Sequence, residues 1–510
     1  MADKRRQSTR RDDGDREADD TGAISRRPFL KATSAGLLGG ALAGCSGNGD
    51  GDGDGGGGGG GGGDGGDGGG GGGGSETTAQ ATVEADLSGV EFDFWERQYY
   101  DESPAAQEAL ETIIGNFEEQ TGATVNVNFQ GDEQPLIDAF NQGTYPQAMT
   151  EFAQSMGNWM QTGQIRPFAE YQDEFDYDVM NSIGALNEAV DFTFRGWDEG
   201  NTVFPITANV FAPFVGRMDL YEEAGLDPDS DFPPENFEEL VEHATALQED
   251  SSAQIGYQPV HDTVDNQDVY FNQWMAADGG AEGYFFNEDW SDLNVDSDLW
   301  HTWLQRDIDL FREHGFGTPD TPTMNDEEIT PLMINGRVAL SNQAPMNLPG
   351  FVERGGDMYR ENFRWAPSFG LGTGVNGRAL IPGGVLMLPP DGADEATWEE
   401  KQQGAIELLK YFNDPILQVQ TMPSLGFMPA NQNLWEEIPN EMNGFAETIK
   451  STAENAKYGY PAHPDFGPIG YDIFGAKKQQ ASQGELSVDE VLEQTYDEGM
   501  ELVNDSQWAA

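Results

Sequence analysis

The sequence predicts an α/β fold built as two domains, and three observations carry that expectation. At 510 residues the chain is too long for one compact core and suits two ordinary domains plus tails. Its 29 Phe, 15 Tyr and 11 Trp are spread from Phe92 to Trp508 apart from Phe29, and a chain with that much large apolar surface buries it. From Val90 onward the hydrophobic period switches between 2 and 3.6.

Val90, Phe92 and Phe94 alternate with Glu91 and Asp93 and lead to Trp95, a strand pattern. Ser103-Pro104 reads as an N-cap with proline at the first helical position, followed by Ala106, Ala109, Leu110, Ile113, Ile114 and Phe117 at helical spacing; Gly122 closes that helix. Val125, Val127 and Phe129 resume the alternation, so strand, helix and strand form the unit of a parallel sheet. Further helices are expected after Pro233-Pro234 (Phe237, Leu240, Val241, Ala244, Leu247), from Ala405 to Phe412 before Asn413-Asp414-Pro415, and around Val488, Val491, Leu492 and Thr495. The body has no internal repeat of fixed period, which argues against solenoids and propellers.

Charge narrows the function. There are 26 Lys+Arg against 91 Asp+Glu, a net charge of −65 that repels phosphate backbones and anionic headgroups, so no nucleic-acid partner is expected. From Cys45 on, 17 basic residues face 84 acidic ones. In dilute buffer such a surface repels itself, whereas at molar salt the screening length falls to roughly 3 Å. This points to a salt-saturated environment such as a halophilic archaeon inhabits. The single cysteine excludes an internal disulfide and any multi-cysteine metal centre.

Residues 1–45 read as an address. Ser25-Arg26-Arg27-Pro28-Phe29-Leu30-Lys31 followed by the small-residue run from Ala32 to Gly44 resembles a twin-arginine export signal, with Arg26 and Arg27 as its pair. The run ends Leu42-Ala43-Gly44-Cys45, which resembles a lipoprotein cleavage box with Cys45 as the lipid-bearing residue. It is shorter than the roughly 20 residues a spanning helix needs. Residues 46–87 open with an almost pure Gly/Asp stretch, with nothing to pack and maximal backbone entropy, and are expected to be a disordered tether.

In the body, Phe204-Pro205-Ile206, then Phe214 to Leu226 with Arg217-Met218-Asp219-Leu220-Tyr221 and Ala224-Gly225-Leu226, then Pro233-Pro234-Glu235-Asn236-Phe237-Glu238-Glu239-Leu240 are similar to family 1 extracellular solute-binding proteins of the sugar type, which serve ABC importers. Trp274 to Gly280, Met333 to Leu340, the segment Gly383-Gly384-Val385-Leu386-Met387-Leu388-Pro389 and Ser424 to Ala430 resemble further family landmarks in the family's order, over about residues 88–505. Where the family often carries an aromatic residue after the glycine pair, this chain has Val385. The resemblance implies a two-lobed periplasmic-binding-protein-like fold with an interlobe ligand cleft and crossing hinge strands. It divides the chain into lobe 1 at 88–206 with 384–428 and lobe 2 at 207–383 with 429–505.

A neutral polyol needs hydrogen-bonding side chains beside aromatic faces. Strand ends facing the cleft supply the candidates Trp95, Glu96, Gln130, Asp132, Asn209, Trp274, Asn342, Gln343, Gly384 and Phe427. For Trp95, Trp274 and Phe427 the competing role is plain core, and for Gly384 a turn or bulge. Arg217 and Arg337 fall within helix-like motifs, and no cationic cluster awaits an anion. Enzymatic signals are poor. His243, His261, His301, His314 and His463 are isolated and read as surface or helix histidines; there is no Gly-x-Ser-x-Gly elbow, and Gly372-x-Gly374-x-x-Gly377 reads as a loop. Asp227-x-Asp229-x-Asp231 reads as a solvated acidic loop rather than a calcium site.

The expected protein is a monomeric, non-enzymatic lipoprotein without cofactor. It would be held on the extracellular face of the cytoplasmic membrane, capturing a sugar by hinge closure and delivering it to the ABC permease subunits. The alternatives are an exported, lipid-tethered polysaccharide-degrading enzyme and a binder of glycerol phosphate or another anion on the same fold.

Overall fold

The computed structural model describes residues 81–97, 104–129, 133–152, 156–175, 179–195, 197, 204–210, 213–261, 274–275, 279–368, 377–380, 382–420, 422–438 and 443–506. The candidates Arg26, Arg27, Cys45, Gln130 and Asp132 lie outside these residues, as does the Gly/Asp-rich stretch.

Three sheets organise the chain. Sheet 1 holds β1 (Glu91–Glu96), β2 (Thr124–Phe129), β3 (Ala148–Phe152), β4 (Ile165–Arg166), β5 (Phe204–Pro205) and, from far along the chain, β12 (Pro382–Met387), in the order β2-β1-β3-β12-β4 with β5 also on β12. β1 runs parallel to β2 and β3, and β12 runs antiparallel to β3, β4 and β5. Sheet 3 takes β6 (Thr207–Val210), β11 (Gly377–Leu380), β13 (Met428–Pro429) and β14 (Ala456–Tyr458) in the order β13-β6-β11-β14. Sheet 2 is β10-β7-β9-β8, from β7 (Phe214–Arg217), β8 (Ile255–Gln258), β9 (Val338–Asn342) and β10 (Phe363–Ala366). Thus β5, β6 and β7 pass the chain through all three sheets within fourteen residues, from Phe204 to Arg217, and β11 to β12 passes it back from sheet 3 to sheet 1.

The helices used below are α1 (Pro104–Thr121), α2 (Phe237–Asp250), α3 (Asp298–Arg312), α4 (Glu395–Phe412), α5 (Ala476–Gln483) and α6 (Val488–Asp505). α1 ends where Gly122 takes φ +73°, the left-handed conformation that glycine adopts without penalty. Its Leu110, Ile113, Ile114 and Phe117 pack with Phe92 and Phe94 of β1 and Leu408, Leu409 and Phe412 of α4 in one apolar cluster. Phe92 meets Phe117 edge-on with ring centroids 6.5 Å apart. The opposite face of sheet 1, with Met149, Val385 and Met387, joins a second cluster that continues into sheet 2 through Val215, Leu340 and Trp365.

Several expectations change. The folded body starts no later than Ala81 rather than at 88. Ala81 and Leu87 are buried, the Ala81 carbonyl accepts from Gln120 Nε2 at 3.2 Å, and Leu87 N–H donates to Thr121 O at 2.8 Å, so the end of the expected tether packs on α1. α2 does not start at the proline pair: Asn236 is its N-cap, accepting from Glu239 N–H at 2.9 Å, because an amide side chain satisfies an orphan donor that proline cannot. Arg217 closes strand β7 and Arg337 precedes β9, so neither is helical. His261 and His463 are fully buried rather than on the surface. In the loop at Asp227, Asp229 and Asp231 the first two are exposed and the third half-buried, and the loop is closed by its own turns, with Asp227 N–H on Asp231 Oδ2 at 2.7 Å.

Candidate functional site

In sheets of parallel strands, ligands bind outside the carboxyl ends of the strands. On sheet 1 that edge carries the ends of β1 and β3. Successive side chains of a strand alternate between faces. Phe92, Phe94 and Glu96 are all buried, and Glu96, only 1 % exposed, accepts from Thr150 Oγ1 at 2.7 Å. Thr150 Oγ1 in turn accepts the Arg97 N–H at 3.1 Å and ties the two strand ends together. Trp95 alternates to the other face, half-buried against the cluster that contains Met149. Arg97 and Glu151 follow Trp95 and Met149 by two residues, and they meet there. Arg97 Nε stands 2.5 Å from Glu151 Oε2, while Glu151 Oε1 accepts the Phe152 N–H at 2.8 Å. The edge therefore has a tryptophan and an ion pair on one face, and a buried glutamate bound to a threonine on the other.

Gly384 lies within β12, opposite Thr150 and Phe204. It is neither a turn nor a bulge. A Cβ there would stand 2.6 Å from Leu409 and 3.3 Å from Ile206, so its missing side chain lets α4 approach the strand. Phe427 is 1 % exposed, in the cluster of Phe92 and Phe94. Asn209 pairs its backbone with Leu380 in sheet 3, and its side chain lies outside what the structure describes.

On sheet 2, β8, β9 and β10 run in one direction, with β7 opposed. Asn342, at the end of β9, accepts from the Tyr257 hydroxyl at 2.7 Å and reaches Ser368 Oγ at 3.5 Å. Ser368 also accepts from Trp274 Nε1 at 2.8 Å. The Trp274 ring packs edge-on to Phe237 and tilted to Trp303, within the core. Gln343 faces other partners: its Oε1 accepts from Asn347 Nδ2 at 3.0 Å and from Thr330 Oγ1 at 3.2 Å. The structure thus brings Trp274 and Asn342 together through Ser368, and Glu96 and Gly384 to either side of Thr150. Sequence reasoning missed Arg97, Thr150, Glu151, Tyr257 and Ser368. The Ala148-Met149-Thr150-Glu151-Phe152 stretch alone pointed to a strand ending in an acid.

A buried ionic group forms around His261, three residues past the end of β8. Asp307 Oδ2 is 3.0 Å from both His261 Nε2 and Lys478 Nζ, and Ser482 Oγ is 3.0 Å from His261 Nδ1. Burial acts to raise the Asp307 pKa, yet Lys478 and His261 together hold it down at about 2. Burial lowers the pKa of His261 against the pull of Asp307. Hydroxyl, imidazole and carboxylate stand in the order of a nucleophile relay. All are buried and Lys478 shares the carboxylate, so the group joins α3 to α5 and offers no exposed hydroxyl. No group of His, Cys, Asp or Glu among the described residues could hold a metal ion, and no helix among them is long and apolar enough to cross a membrane.

Solved structures share this architecture. A solute-binding protein from Thermotoga lettingae bound with alpha-D-tagatose aligns with TM-score 0.65 at 17 % identity, covering 81 % of this chain and 99 % of that one. T. maritima MalE3 with maltose gives 0.66 at 16 %, covering 81 % and 100 %, and a solute-binding protein from Agrobacterium radiobacter with ribitol gives 0.63 at 18 %, covering 82 % and 100 %. No curated protein matches the sequence. The fold is the two-lobed one of these binding proteins. Residues 96–416 match the family described as bacterial extracellular solute-binding protein, and with the triple passage of the chain from sheet to sheet in place, the protein belongs to that family.

Proposed function

We propose that this protein captures a neutral sugar or other polyol by closing its two lobes and hands it to an ABC permease, with no covalent chemistry. The family match over 96–416 carries the reading. The ligands of the solved relatives, alpha-D-tagatose, maltose and ribitol, are all uncharged polyols. Lobe 1 would comprise 88–206 with 384–428, extended back to Ala81, and lobe 2 207–383 with 429–505. The twin-arginine pair Arg26-Arg27 would export the folded chain, and acylation of Cys45 would hold it as a monomer at the outer face of the membrane, the Gly/Asp-rich stretch acting as tether. A chain that folds in strong salt before export accords with the excess of acidic residues.

Micromolar capture corresponds to about −8 kcal/mol, within reach of a few hydrogen bonds and a stacked ring in a desolvated cleft. A thermal-shift screen of tagatose, maltose and ribitol in molar KCl tests the reading, because a ligand that prefers the native state raises its midpoint. At least one polyol is expected to raise it and to be recovered unaltered. A shortened oligosaccharide, or a shift given only by anions such as glycerol phosphate, would sink it.

A further inference from the structure

The Arg97 guanidinium at the edge of sheet 1 is incompletely used among the described residues. A guanidinium has five N–H donors, and one carboxylate cannot occupy them all. Arg97 Nε faces Glu151, while Nη1 is buried and has no hydrogen-bond acceptor among the described residues. A buried donor left without an acceptor is uncommon in native proteins and calls for a reason. Arg97 is 12 % and Glu151 1 % exposed on their side chains, so water does little for either. The pair shares its face of the sheet with half-buried Trp95, at the carboxyl ends of two parallel strands.

We infer that Trp95, Arg97 and Glu151 form the polyol-contacting subsite of lobe 1, with Arg97 the residue that determines specificity; this rests on the proposed capture of a polyol. A hydroxyl both accepts and donates. Arg97 gives an N–H to one hydroxyl oxygen, and Glu151, held by the Phe152 N–H, takes the proton of that hydroxyl or of a vicinal one. The Trp95 ring covers the C–H face. An amine would satisfy Glu151 and repel Arg97, and a carboxylate the reverse, so the subsite selects vicinal diols over charged solutes. Glu96, although next in sequence to both Trp95 and Arg97, belongs to the other face and serves Thr150.

The test uses the full chain in molar KCl, with tagatose, maltose and ribitol as probes in calorimetry and with thermal midpoints of the empty protein. Arg97→Met is expected to weaken whichever probe the parent binds by at least tenfold. The double variant Arg97→Met/Glu151→Gln, which removes the charge pair whole, should keep the empty midpoint within a few degrees or raise it, because residues kept for binding are not kept for stability. Unchanged affinity in Arg97→Met overturns the subsite. A midpoint lowered by many degrees in the double variant makes the pair structural and overturns it as well. A parent that binds none of the three probes counts against the polyol reading, and the empty midpoint of the double variant then decides the role of the pair by itself.

Discussion

At the carboxyl edge of sheet 1 an arginine and a glutamate meet beside a half-buried tryptophan; at that of sheet 2 a tryptophan, a tyrosine, an asparagine and a serine close on one another. Both edges offer an aromatic ring with polar groups. On sheet 2, Tyr257 donates to Asn342, and Trp274 and Asn342 both reach Ser368, so neutral groups find complementary partners inside the protein. Burial pushes the Tyr257 phenol pKa well up, with Asp307 adding to it, which keeps that hydroxyl a donor. On sheet 1 the guanidinium has more donors than its neighbour can accept. The difference teaches that residue type at a strand end does not set the two edges apart; what sets Arg97 apart, and grounds the subsite proposed there, is a donor left without an acceptor among the described residues.

The comparison extends below the edges, and its largest test lies there. The ionic group of Asp307, His261 and Lys478 has no counterpart among the described residues of the apolar cluster between β1, α1 and α4. Lys478→Met should destabilise the protein by about 3–5 kcal/mol by leaving Asp307 underpaired in the interior. Urea denaturation in molar KCl measures it, and a loss below about 1 kcal/mol would show that the carboxylate had relaxed to water.

Acid should act on the same side of the comparison. His261 and His463 are buried with pKa values lowered from 6.5, His463 to about 3. Groups whose folded pKa is depressed contribute stability above the unfolded value and lose it as pH falls toward the folded one, so stability declines on acidification below pH 6.5. Asp307, lowered from 3.8 to about 2, adds on the order of 2 kcal/mol above pH 4 that disappears as pH approaches 2. A denaturation series at pH 7, 5 and 3 should fall in steps, and a flat profile down to pH 4 would contradict the burial of the two histidines. The smallest effect expected is that of Ser368→Ala, which strips an acceptor from Trp274 and should cost about 1–2 kcal/mol with little change in polyol affinity. If affinity falls while the midpoint holds, the edge of sheet 2 binds the polyol as well as the subsite proposed on sheet 1.

The local rhythm of the fold was legible. Val90 to Phe129 announced strand, helix and strand, Gly122 the helix end, and Asn413 the end of α4, because period and capping are short-range properties. Trp274 and Phe427 were legible only as either binding or core residues, and their burial at 1 % comes from partners far away in sequence, Phe237 and Trp303 for the one and the Phe92 cluster for the other. Arg97 needed Glu151, 54 positions on, before it meant anything. His261 looked isolated because Asp307, Lys478 and Ser482 approach it only after α3 and α5 have packed. The missed start at Ala81 has the same origin: a short apolar pair after a glycine run has no period, and only α1 gives it a place.

β12 enters sheet 1 between β3 and β4, with β5 on it as well. Strands made early in synthesis therefore have no neighbour on that side until residues 382–387 have left the ribosome. Such long-range pairing makes folding slow and leaves strand edges open to other chains in the meantime. Sheet 1 opens at Glu91 but is finished only after the strands of sheet 2 have been made, and a nascent fragment that stops short of β12 is an aggregation hazard.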